Sequence, residues 1–145
     1  MLASRVNRSN ILGITMSKPS PPSTPPGWHT ITTRIVVRDL QTFLEFLQHV
    51  FAARIERGGG GAPPIAWIGD SAIMISDTAD RRPKGAFLYV YVDDVDAAYE
   101  RATERDARTV EEPFDTPYGD RRCMIEDRWD NVWQIAVYRP GRGAA

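Results

Sequence analysis

One cysteine, Cys123, stands in 145 residues. An intrachain disulfide is therefore excluded, and a lone thiol suits a reducing compartment, so a cytoplasmic location is the expectation. The two histidines, His29 and His49, exclude a three-histidine metal site. No apolar run approaches the ~20 residues that cross a bilayer. Neither sign of charge prevails: 18 basic and 19 acidic side chains leave a formal net charge of −1, so no basic face invites nucleic acid or an anionic membrane. What remains is a domain of ordinary globular composition with a generous supply of aromatic side chains: four Trp, five Tyr and five Phe.

The chain repeats itself. Residues 87–107 read as a strand, β-branched and aromatic from Phe87 to Val92, that runs into a helix. Asp94 is a good N-cap, and Val95, Ala98, Tyr99 and Ala102 follow at helical spacing. Residues 32–53 have the same layout, with Asp39 as the capping residue. Asp39 and Asp94, Leu40 and Val95, and Thr32 and Phe87 all lie 55 positions apart.

Around these units the remaining pieces fall into order. Residues 1–27 are rich in Ser, Thr and Pro before Gly27, and predict an extended or disordered tail, with Met1 or Met16 as the start. The domain spans 28–139, with a first half over 28–77, a linker over 78–85 and a second half over 86–139; residues 140–145 fray. A first strand over 29–38 puts Thr32, Arg34 and Val36 on one face and Thr33, Ile35 and Val37 on the other. Leu40, Phe43, Leu44, Leu47 and Phe51 form the buried stripe of the first helix, and His49 lies beside it at the surface. Gly58 to Gly61 lack the Lys-Ser/Thr of a phosphate loop and read as a mobile hairpin loop. Residues 65–76 predict a hairpin turning at Gly69-Asp70, with Trp67 opposite Ala72 and Ile65 opposite Met74. Later come a short strand at Thr109-Val110, a loop over 112–120, and two strands, 121–126 and 132–138, joined by a turn over 127–131. Trp133 and Ile135 are expected in the core, and Trp129 is expected to be exposed or inserted into a partner. The fold class is α+β: two βαβββ repeats, each a curved mixed sheet with its helix outside, together able to form a cup.

The pieces IVVRDLQTFLEFLQHVF, WIGDSAIMISD, LYVYVDDVDAAYERATERDA and PYGDRRCMIEDRWDNVWQIA, in this order and spacing, resemble the glyoxalase/bleomycin-resistance/dioxygenase group, the vicinal oxygen chelate superfamily. The likeness covers about residues 30–138. It departs from the family at the last turn, where Asp127-Arg128-Trp129-Asp130-Asn131 stands in place of Asp-Pro-x-Gly-Asn. Enzymes of this family hold a divalent metal in the cup. The resemblance places its ligands at Thr32, Met74, Phe87 and Gln134, none of which is a strong divalent ligand. His29 is expected on the opposite face and His49 outside the cup. No cofactor is therefore expected, with a divalent metal as the alternative.

Aligned this way, the inward residues are Thr32, Arg34, Val36, Trp67, Met74, Phe87, Tyr89, Tyr91 and Gln134. Such a lining suits a flat or amphipathic organic ligand. Arg34 favours an anionic group on that ligand, or else pairs internally or reaches the rim. Tyr118 and Arg121 either close over the ligand or belong to a solvated loop. Cys123 has no histidine beside it in sequence to activate it. The expectation is a metal-independent binder of a small aromatic or anionic molecule, acting as a homodimer as the resemblance implies. The alternative is a divalent-metal-dependent lyase, isomerase, dioxygenase or thiol transferase with an unusual ligand set. A third reading is an interaction module with a filled cup.

Overall fold

A computed structural model describes residues 24–78 and 82–140. The expectations about a disordered start up to residue 23, about Met1 or Met16, and about fraying beyond residue 140 lie outside the described residues. So does the middle of the linker. Residues 24–27 of the expected tail form a turn closed by Trp28 N on the Pro25 carbonyl.

Among the described residues, ten elements follow one another: β1 (Thr33–Val37), α1 (Leu40–Phe51), β2 (Arg54–Glu56), β3 (Ile65–Ile68), β4 (Ser71–Asp77), β5 (Phe87–Tyr91), α2 (Val95–Glu104), β6 (Arg108–Asp115), β7 (Arg121–Glu126) and β8 (Val132–Val137). The repeat is complete. One four-stranded sheet has the order β1-β4-β3-β2, the other β5-β8-β7-β6. In each, the first strand pairs in parallel with the last, and the other pairs are antiparallel. The expected α+β fold with two βαβββ units is what the chain adopts. The hairpin registers Trp67↔Ala72 and Ile65↔Met74 also stand as read, and Gly69 takes the positive φ, +57°, that the tight turn needs.

The helix-bearing faces share one core. From β1 come Ile35 and Val37, from α1 Phe43, Phe46, Leu47 and Val50, and from the second half Ala98, Ala102, Ile125, Trp133 and Ile135. The two helices pack against each other. The Phe51 and Trp133 rings meet across the halves at 4.7 Å. Burial of this apolar face, at about 25 cal/mol per Å², holds the halves together. Among the described residues, the opposite faces of both sheets carry no helix, and no strand of one half is hydrogen-bonded to a strand of the other. The chain thus holds two open half-cups rather than one continuous sheet.

Four local expectations are corrected. Asp39 stands at the N-cap of α1, but its backbone is left-handed (φ 59°) and its side chain makes no capping bond. That conformation turns the carboxylate from the first-turn amides, while the Asp39 carbonyl still accepts from Phe43 N. Asp94 does cap α2, accepting from Ala97 N at 3.0 Å. The stripe of α1 is broader than read, since Phe46 and Val50 are buried too. β6 runs eight residues, through Pro113, where a loop was expected. It is an edge strand with two register shifts, so the missing proline N–H breaks no ladder. Trp129 packs on its own chain: its ring lies 4.9 Å from Phe43 and 5.7 Å from Phe46, and its Nε1 donates to the Arg38 carbonyl at 2.7 Å.

Candidate functional site

Period-two alternation decides which side chains the bare faces carry. In the first sheet, burying Ile35 and Val37 turns Arg34 and Val36 outward. Arg34 is aligned with Met74, Met74 with Ile65, and Ile65 with Glu56. Arg34 Nε donates to Ser76 Oγ at 2.8 Å, and the guanidinium has no carboxylate partner among the described residues. Trp67 lies between the Arg54 guanidinium (5.5 Å) and the edge of Trp28 (5.5 Å, 79°), so the segment before β1 folds back onto this face. Trp67 Nε1 is buried without a hydrogen bond of normal geometry. Arg54, reinforced by the indole, holds the Glu56 carboxyl below its usual range. A cavity of about 460 Å³ opens here between Ile65, Met74 and the glycine loop.

The second sheet is the more aromatic. Core burial of Cys123, Ile125, Trp133 and Ile135 turns Arg122, Met124, Gln134 and Ala136 to the bare face. Register then builds three rows across the strands: Phe87, Val132, Glu126 and Arg108; Tyr89, Gln134, Met124 and Glu111; Tyr91, Ala136, Arg122 and Phe114. Phe87, Tyr89 and Tyr91 are 65%, 42% and 64% exposed and stand together on one strand, a contiguous aromatic patch. The Tyr89 and Tyr91 rings lie 5.3 Å apart. Burial pushes the Tyr89 phenol above its usual value, and the phenols of Tyr118 and Tyr91 add to this. A groove of about 320 Å³ runs from Tyr89 and Tyr91 to the Gly69–Asp70 turn of the first half.

Most expected site residues are thus gathered on bare faces: Arg34, Trp67 and Met74 on the first, Phe87, Tyr89, Tyr91 and Gln134 on the second. Tyr118 joins the second, its hydroxyl accepting from Arg122 Nη1 at 3.1 Å. Arg121 does not join them. It faces α2, where it pairs with Asp96 at 2.7 Å and with Asp115 at 3.2 Å. The arginine of the bare face is Arg122, which pairs with Glu111 at 3.2 Å and lies 5.3 Å over the Phe114 ring. Counting outward from the apolar Cys123 and Ile125 would have separated the two arginines.

The positions that the resemblance gives to metal ligands do not suit a hard cation. Met74 offers a soft thioether, Phe87 nothing, Gln134 a neutral amide oxygen and Thr32 a hydroxyl. Among the described residues, no three His, Cys, Asp or Glu side chains cluster as a metal site. The Cys123 thiol is buried and pushed up to about 12, chiefly by desolvation, which removes its nucleophilic form. No helix among the described residues is long and apolar enough to cross a membrane.

The family model described as Glyoxalase/Bleomycin resistance protein/Dioxygenase superfamily matches residues 27–135. Solved structures share the fold. TioX from Micromonospora sp. ML1 is 18% identical over 75% of this chain and 99% of its own, with a TM-score of 0.61. An integron cassette protein from the mobile metagenome of V. cholerae is 17% identical over 86% of this chain and 99% of its own, with a TM-score of 0.62. The fosfomycin resistance protein FosX from Mesorhizobium loti is 20% identical over 77% and 93%, with a TM-score of 0.57. No curated protein matches the chain.

Proposed function

Since the chain belongs to the glyoxalase/bleomycin resistance protein/dioxygenase superfamily, we propose that it holds a small aromatic or anionic molecule in its cup, without a metal and without converting it. The charge pattern of the bare faces carries this reading. Arg54 pairs with Glu56, Arg108 with Glu126 and Arg122 with Glu111. Arg34 alone among these cations has no carboxylate partner among the described residues, beside a lining otherwise of rings, Met74 and Gln134. A flat molecule stacking on Phe87, Tyr89 and Tyr91, with its anion toward Arg34, satisfies both features.

Arg34 and the tyrosines lie on separate sheets, each open to solvent. We therefore read the complete cup as shared between two copies: the first sheet of one protomer over the second sheet of its partner. A homodimer closed by a two-fold axis would contain two such cups.

Elemental analysis of untagged protein, before and after soaking in Zn, Mn, Ni and Fe(II), tests the metal-free part. Background metal throughout is the expected result. Stoichiometric metal would replace this reading with the metal-enzyme one. A thermal-shift screen of planar aromatic carboxylates tests the rest: hits should stabilise the wild type and lose most of that effect in Arg34→Ala.

A further inference from the structure

Tyr118 and Arg122 belong to the second bare face, but their contacts go beyond lining it. Arg122 and Tyr91 flank Ala136 in one row, two strand spacings or about 10 Å apart, which is the width of a bicyclic aromatic ring. Ala136 between them is fully buried under its neighbours and adds no protruding side chain to the row. The guanidinium is held on three sides: Glu111 accepts from Nη2, Tyr118 Oη accepts from Nη1, and the Phe114 ring lies beneath. Its Nε is buried with no hydrogen-bond partner. Buried donors are nearly always satisfied, so this Nε–H is an unmatched donor that an oxygen acceptor would stabilise. Tyr118, half exposed in the turn between β6 and β7, is the most exposed member of this cage. That turn is tied below by Thr116, whose N and Oγ1 contact the Asp120 carbonyl at 2.7 and 3.0 Å.

We propose that Tyr118 is a latch on a second oxyanion subsite, on the opposite sheet from Arg34. Its hydroxyl occupies Arg122 in the free protein, and the sulfonate or carboxylate of an aromatic ligand displaces it, accepting from Nη1 and Nε while the rings stack beside Tyr89 and Tyr91. Glu111 cancels the formal charge of Arg122, so the subsite selects oxygen acceptors by hydrogen-bond geometry more than by net charge. This rests on the binding function proposed above and names its ligand class: a planar aromatic oxyanion.

The test is fluorescence titration with 8-anilinonaphthalene-1-sulfonate, alongside N-phenyl-1-naphthylamine, the same rings without the sulfonate. Saturable binding of the sulfonate to wild type is expected. Tyr118→Phe removes the competing hydroxyl and should tighten it about five-fold, the scale of one hydrogen bond. Arg122→Met should weaken it at least ten-fold, and both changes should alter the sulfonate's affinity by more than that of the uncharged probe. If the sulfonate does not bind wild type, the function proposed above fails. If it binds but Tyr118→Phe leaves affinity unchanged or weaker, the latch is wrong while the binding reading stands. Because Tyr118 lies at the surface, that variant tests the latch even if Arg122→Met fails to fold.

Discussion

At residue scale, single groups make sharp commitments. Cys123, with its thiol pushed up to about 12, should resist iodoacetamide at pH 8 in the native protein and react on unfolding, as mass spectrometry will show. Gly85 has a steric reason: a Cβ there would lie 2.2 Å from the Asp130 carbonyl oxygen, so Gly85→Ala must move backbone and should cost about 2 kcal/mol by urea denaturation. Asp127 ties the last turn together, accepting from Trp129 N, Asn131 N and Trp133 Nε1 at 2.8–3.0 Å. Asp127→Ala leaves those donors unmatched and should cost about 3 kcal/mol. Burial still wins over these donors and raises the Asp127 carboxyl above its usual range. The native state therefore holds that proton more tightly than the unfolded chain. The resulting stability is fully present below the unfolded carboxyl's range and is lost as pH rises through the native value. The stability advantage of wild type over Asp127→Asn should accordingly shrink as pH rises above the ordinary carboxylate range. A gap that widens instead would reverse the sign of the shift.

At the scale of elements, legibility followed whether local chemistry alone decided the outcome. The α2 cap, the Gly69-Asp70 hairpin and the turn at Asp127 were readable because nearby donors and acceptors settle them. β6 was not, since Pro113 argues against a strand unless the strand is known to be an edge, and edges are set by strand order. The place of Trp129 was hidden for the same kind of reason. Its partners Phe43, Phe46 and Arg38 lie more than eighty residues earlier, and no local pattern joins them. The site divides likewise. Phe87, Tyr89 and Tyr91 followed from alternation, but Arg121 was named for its place beside the Gly119-Asp120 loop, without continuing the period of two from Cys123 that turns Arg122 to the bare face. Trp129 is also where the second half is pinned to the first, so Trp129→Ala should cost about 3 kcal/mol. Both halves share one core, so it should lower a single unfolding transition. Two separated transitions in calorimetry would show that the halves fold independently.

Across the whole molecule the question is how two open faces come to work together. Arg34 and Tyr89 lie on different sheets, and the core that joins the sheets is on the helix side of both. A cup completed by a second copy takes Arg34 from one protomer and Tyr89 from the other. This arrangement has a consequence that a cup within one chain does not share. Arg34→Ala and Tyr89→Ala should each abolish tight binding when pure. Mixed, denatured together and refolded, random pairing makes half of the dimers hybrid, and each hybrid has one cup with both changes and one with neither. About a quarter of wild-type binding capacity should return, at wild-type affinity, and it should elute with a mass near twice 16.3 kDa. If each chain formed its own cup, every cup would keep one lesion and no mixing ratio would restore binding. The titration thus separates a shared cup from a private one without requiring the ligand's natural identity, since a planar aromatic carboxylate that stabilises the wild type serves as the probe.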